Sequence, residues 1–197
     1  MNEHLKYLDT RWLIVINNAH TPFWDKVMWL SSSAMIWMPL YIALAVLISL
    51  RLRKDAILFF VIIGLLILCS DQLASGIIKP MAQRLRPSHE PLLQDHLHYV
   101  NNYRGGMYGF ISSHACNVFS LSFFFLFTLQ KEFRWLPLIM FPWAMLVSYS
   151  RIYLGVHYPL DVIVPAFTSI SLAWLMSRLY FLVREIMNKK RLNHLTP

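Results

Sequence analysis

Five apolar runs of membrane-spanning length, at residues 34–50, 56–78, 110–129, 135–149 and 160–182, limit what this chain can fold into. A helix needs about 20 apolar residues to cross a bilayer, with some tolerance. The fourth run is short and the fifth carries Arg178 near one end. Composition supports the same conclusion, because 57% of the chain is hydrophobic and only 14% is charged. A soluble domain carries roughly 25% charged residues. The expectation is an all-α integral membrane protein, a bundle of five transmembrane helices, or six if the N-terminal segment also crosses.

A net charge of +8 in 197 residues raises the prospect of nucleic acid as a partner. Much of the excess instead flanks the apolar runs, as in Arg51, Arg53 and Lys54 or Lys189, Lys190 and Arg191. That placement marks membrane topology and contact with anionic headgroups, and no basic, aromatic-lined groove pattern is present. The bilayer is therefore the expected partner, nucleic acid is not, and no obligate protein partner is evident. Together with Lys131, Arg134 and Arg184, these charges fall on one face, which the positive-inside rule assigns to the cytoplasm. Residues 79–104, 112–114 and 150–161 then share the extracytoplasmic face.

In residues 8–33, Trp12, Leu13, Val15 and Ile16 suggest a short amphipathic helix that Asn17-Asn18 and Thr21-Pro22 interrupt. Two short helices lying in the interface are expected, with an extracytoplasmic N-terminal tail. A cytoplasmic N-terminus requires a sixth crossing. The domain expectation is an interfacial segment at 1–33, a transmembrane domain at 34–185 and a basic cytoplasmic tail at 186–197. No cleavable signal-peptide pattern is present. Cys69 and Cys116 offer neither a disulfide framework nor a metal spacing, and neither has an arginine placed for a cysteine-dependent phosphatase.

Three polar clusters at the extracytoplasmic ends of the runs carry the chemistry. In the third, Pro159 suits the first turn of a helix. His157 then precedes that helix and Asp161 can reach back to it. An aspartate that accepts from one ring nitrogen leaves the other free as nucleophile or base, although a helix cap with a satisfied histidine would look the same. In the second cluster, Ser112-Ser113-His114 opens an apolar run. Serine is a good N-cap, and a helix N-terminus favours a bound anion. In the first, Lys79 through Arg86-Pro87 closes a run. Basic residues at a span end often have only structural reasons, but arginine also grips phosphate in a bidentate manner. Lys79, Arg86, Arg151 and His157 at one rim call for an anion to hold.

The spacing resembles the type 2 phosphatidic acid phosphatase (PAP2) family, which shares its site with vanadium haloperoxidases. The family motifs are Lys-x6-Arg-Pro, Pro-Ser-Gly-His and Ser-Arg-x5-His-x3-Asp. Here they correspond to Lys79 with Arg86-Pro87, Ser112 with His114, and Ser150-Arg151 with His157 and Asp161. The first and third match in full. The second departs at Ile111, where the family has proline, and at Ser113, where it has glycine; serine keeps the backbone N–H that faces phosphate in the family. The resemblance implies that His157 attacks phosphorus, oriented by Asp161, and that His114 protonates the leaving oxygen. It implies that Lys79, Arg86, Arg151, Ser112 and the Ser113 N–H hold the phosphate oxygens. It implies no cofactor and no metal.

Arg84, in a short loop, and Tyr108 are expected as further headgroup contacts. Tyr99, Tyr103 and Tyr108 suit either a lid or an interfacial anchor. His89, His96 and His98 match no strong zinc spacing, and Asp71, inside a run, is read as a structural hydrogen-bonding group. The expected function is hydrolysis of a phospholipid or isoprenoid phosphate at the outer face of a bacterial cytoplasmic membrane. Undecaprenyl diphosphate is favoured narrowly over lipid A, with phosphatidylglycerophosphate and phosphatidic acid as alternatives. From another class, a non-catalytic lipid-anion binding or transport protein would use the same rim.

Overall fold

The computed structural model describes residues 2–193, and side chains through residue 191. The last four residues of the expected tail lie outside the described residues, as does Met1. Two short helices open the chain, α1 (Glu3–Asn18) and α2 (Pro22–Ser32). Asn2 and Thr21 cap them by accepting from backbone amides, and Pro22 occupies the first turn of α2, where its missing N–H costs nothing. Then come α3 (Met38–Leu52) and α4 (Ala56–Asp71), which continues through a π-helical stretch (Gln72–Ile78) into the short α5 (Lys79–Ala82). After a long polar connection follow α6 (Ser113–Leu129), α7 (Leu136–Tyr153) and α8 (Pro159–Asn193). No strand occurs among the described residues, only an isolated bridge between Leu85 and Tyr108.

Helices α4, α6 and α8 pack around an aromatic centre. Phe59, Phe124 and Tyr180 are all buried, with ring centroids 5.3 Å apart for Phe59–Phe124 and 5.4 Å for Phe59–Tyr180. Small hydroxyls bridge helices where apolar packing alone gives no direction. The Ser122 hydroxyl donates to the Met140 carbonyl of α7, and Ser169 of α8 donates to the Cys116 carbonyl of α6. Outward faces are apolar: Ile57 is 77% exposed, Phe167 68% and Trp174 52%. Large apolar side chains exposed along whole helices fit a lipid environment rather than water. The stretches Ala34–Ala82 and Pro159–Arg191 are long and apolar enough to cross a membrane, although Arg53, at φ 51°, breaks the first between α3 and α4.

Two boundaries differ from the sequence-based expectation. The second run does not stop at residue 78, because the π turn carries the helix on to Ala82. The tail expected from residue 186 continues α8 through Asn193. Arg184, just before this extension, and Arg191 within it pair with Asp55 in the α3–α4 turn, at 2.6 and 3.5 Å. Helix α1 lies across the opposite end. Its buried stripe, Asp9, Leu13 and Asn17, repeats every four residues and touches the start of α8 and the end of α7.

Candidate active site

The three sequence clusters meet at the end of the bundle covered by α1. Helix α6 begins at Ser113 with Ser112 as its N-cap, and α8 begins at Pro159, so both helix starts stand where the residue pattern puts them. The Ser112 amide donates to the Asp161 carbonyl at 2.8 Å, which ties the second cluster to the third. The Arg86 amide donates to the Met107 carbonyl, and the Gly109 amide to that of Arg84, both at 2.9 Å. Gly155, at φ +71°, turns the chain out of α7 toward His157.

His157 and Asp161 are fully buried, with Nδ1 of the imidazole 3.3 Å from Oδ2 of the carboxylate. Donation from Nδ1 leaves Nε2 with its lone pair. Burial holds His157 well below its ordinary pKa, and the charges of Arg86, Arg151, Lys79 and Arg84 push the same way. The ring is neutral at physiological pH, as a nucleophile must be. Asp161 receives the Tyr158 amide on the same oxygen at 3.1 Å and Arg84 on the other at 2.9 Å.

Arg86 and Arg151 are both buried, and each keeps a buried donor with no partner: Nη1 of Arg86 and Nε of Arg151. Their remaining contacts position them. Arg86 Nε donates to the Tyr108 carbonyl at 3.1 Å, and Arg151 donates to the hydroxyls of Ser32 and Tyr103. Gly105, at φ +67°, lies so close to Arg86 that a Cβ there would collide with the guanidinium. An unpaired buried donor on a cation is costly, and two beside a neutral histidine make a receptor for an anion. Lys79 completes the group and donates to the Ser113 hydroxyl at 2.6 Å. Ser113, in the family's glycine position, thus orients the lysine through its side chain, and Ser75 joins it at 2.8 Å. His114 interacts electrostatically with Arg151, His157, Arg86 and Lys79. It also lines a cavity of about 570 Å³ that runs inward past Trp37, Leu44, Ile63 and Phe125.

The structure gives two of the expected headgroup contacts partners within the protein. Both ends of the Arg84 guanidinium are taken by carboxylates, Asp161 and Asp9, and its face lies over the Tyr158 ring at 3.9 Å. It is therefore committed inside the protein instead of facing a headgroup. Tyr108 reaches the site through its backbone carbonyl. Ser32, Asp9 and Gly105 were not anticipated. His20, Asp25 and His98 bring their donor atoms within 4.8 Å of one another. The two imidazoles, however, stack at 3.8 Å with planes 12° apart. A point in the plane of one ring then lies well beyond the ~2.1 Å metal–nitrogen bond length from the other. The trio instead pins the polar connection to α2, with His98 2.9 Å from Asp25 and the Tyr153 hydroxyl donating to Asp25 at 2.8 Å.

The model of the PAP2 superfamily matches residues 56–185, which include all three clusters. The chain belongs to the PAP2 superfamily. It is 36% identical over 188 residues to a lipid A 4'-phosphatase of Bacteroides thetaiotaomicron, covering 94% of this chain and 81% of that one. It is 35% identical over 164 residues to a lipid A 4'-phosphatase of Porphyromonas gingivalis, covering 82% and 68%. The fold is also that of the crystal structure of Aquifex aeolicus LpxE, with a TM-score of 0.64, 24% identity and coverage of 87% of this chain and 95% of that one. The crystal structure of the first transmembrane PAP2 type phosphatidylglycerolphosphate phosphatase from Bacillus subtilis gives 0.63, 22%, 90% and 87%. This PAP2 protein is a membrane lipid phosphatase, the coarse activity its motifs imply.

Proposed function

We propose that this PAP2 phosphatase removes the 4'-phosphate of lipid A at the outer face of a bacterial inner membrane. The observation that carries the chemistry is the pair of orphaned buried guanidinium donors beside the neutral His157–Asp161 pair. The likeness to two lipid A 4'-phosphatases favours lipid A over undecaprenyl diphosphate, the substrate preferred from sequence. A topology of five crossings, with the basic turns and the end of α8 in the cytoplasm as the positive-inside rule favours, supports an outward-facing site. The largely apolar cavity that His114 helps to line suits a substrate with acyl chains.

In this scheme Lys79, Arg86, Arg151, Ser112 and the Ser113 amide hold the phosphate oxygens. His157 Nε2 attacks phosphorus, a nitrogen–phosphorus bond forms, and the bond to the sugar oxygen breaks as His114 protonates that oxygen. Water then attacks phosphorus and gives a proton to His114, the nitrogen–phosphorus bond breaks to restore His157, and inorganic phosphate leaves. Catalysis is charge stabilisation and positioning.

Purified protein should release phosphate faster from lipid A than from undecaprenyl diphosphate or phosphatidic acid when the three are assayed side by side. Faster release from undecaprenyl diphosphate would reverse the assignment. Since side chains supply the cations, turnover should persist in EDTA and fall with vanadate. Activity lost in EDTA and restored by a divalent ion would disprove the metal-independent scheme.

A further inference from the structure

The N-terminal helix contributes a buried carboxylate to the catalytic rim. Asp9 is 3% exposed and accepts two hydrogen bonds, one on each oxygen. Oδ2 takes Arg84 Nη2 at 2.6 Å, and Oδ1 takes the Leu160 amide in the first turn of α8 at 2.8 Å. The other Arg84 terminus, Nη1, donates to Asp161 Oδ1 at 2.9 Å. One guanidinium is thus clamped between two carboxylates that lie 152 positions apart in the chain.

Burying a carboxylate is costly unless it is paired. Burial pushes the Asp9 carboxyl up, with Asp161 adding to the rise, while Arg84 and the Leu160 amide pull it back. Arg84 is not part of the family motif set, and a carboxylate engages each end of its guanidinium. With Nη2 held by Asp9, Arg84 cannot swing from Asp161 toward the anion site formed by Lys79, Arg86 and Arg151. Asp161 then keeps Oδ2 for Tyr158 N–H and His157 Nδ1.

We propose that Asp9 is a positioning residue of the phosphatase site, holding Arg84 against Asp161 and the first turn of α8 in place, and thereby setting the carboxylate that orients His157. Helix α1 is on this account a working part of the site. The inference rests on His157 and Asp161 acting as proposed above.

The test compares full-length wild type with D9N, D9E, R84Q, the D9N/R84Q double variant and H157A, reading kcat, KM and melting temperature in detergent on lipid A and on a soluble aryl phosphate. D9N keeps an acceptor for the Leu160 amide but removes the charge facing Arg84. Its kcat should fall on the order of tenfold, the scale at which loss of an outer partner disturbs a site, with KM unchanged and a melting temperature no lower than that of R84Q. D9E should recover part of the loss. The double variant should be no worse than R84Q, because both act through one contact. Wild-type kcat in D9N overturns the proposal. So does a loss that tracks a lowered melting temperature and multiplies with that of R84Q. Full activity in H157A would reject the site assignment itself, whereas a silent H157A beside a fully active D9N rejects the role of Asp9 alone.

Discussion

Replacing His157 with alanine should abolish hydrolysis while the protein stays folded and inserted. The imidazole is fully buried and hydrogen bonds only to Asp161 among the described residues. Its removal leaves a small void and takes away no helix contact of the aromatic centre around Phe59 and Tyr180. If Nε2 forms the bond to phosphorus, no neighbour can replace it. Arg86, Arg151 and Lys79 are cations, and His114, at the start of α6, serves the leaving oxygen in this scheme. Removing a nucleophile that acts within such a unit costs at least ~1000-fold in kcat. Phosphate release, together with a melting curve, checks both halves of the expectation. Residual turnover within tenfold of wild type would place the nucleophile elsewhere.

The second large effect should depend on the leaving group. A sugar or alkyl oxygen departs poorly without a proton, whereas nitrophenolate needs none. His114→Ala should therefore lose about 100–10,000-fold on a lipid phosphate, the range for a general acid, and far less on para-nitrophenyl phosphate. The position of His114 in the lining of the apolar cavity fits that role, since the bond that breaks joins the phosphate to the rest of the lipid. Equal losses on the two substrates would assign His114 to phosphate binding instead.

The candidate cluster is legible in the sequence because isolated charges at the ends of apolar runs are expensive and so stand out. Lys79, Arg86, Arg151, His157 and Asp161 each occur within one short motif, and Pro159 and Ser112 mark helix starts by local rules. What escaped notice depends on long-range pairing. Arg84 is close to Arg86 in sequence and looks there like another headgroup contact, but its partner Asp9 lies 75 positions away. Ser32, which receives Arg151, lies 119 positions away. No local spacing reports such pairs. A weak signal was present in α1, where Asp9 and Asn17 share one stripe with the apolar Leu13, a pattern an interfacial helix facing only lipid would avoid. The Ser113 departure was weighed only for its backbone amide, yet its hydroxyl is what holds Lys79. The run at 56–78 could not reveal its own continuation, because Lys79 and Pro80 look like a stop signal and the π turn has no simple residue code.

The reach of α1 into the site has a practical side. A purification handle or fluorescent reporter fused to the N-terminus would add its mass and charge a few residues before Asp9, on the helix that reaches Arg84 beside the proposed phosphate site. Helix α8, by contrast, carries the chain away from Asp161 for about 48 Å at ~1.5 Å per residue before Asn193. A label at that end hangs from the far side of the bundle, beyond the arginines that grip Asp55. C-terminal fusions should therefore report the native enzyme, and N-terminal ones a handicapped version of it.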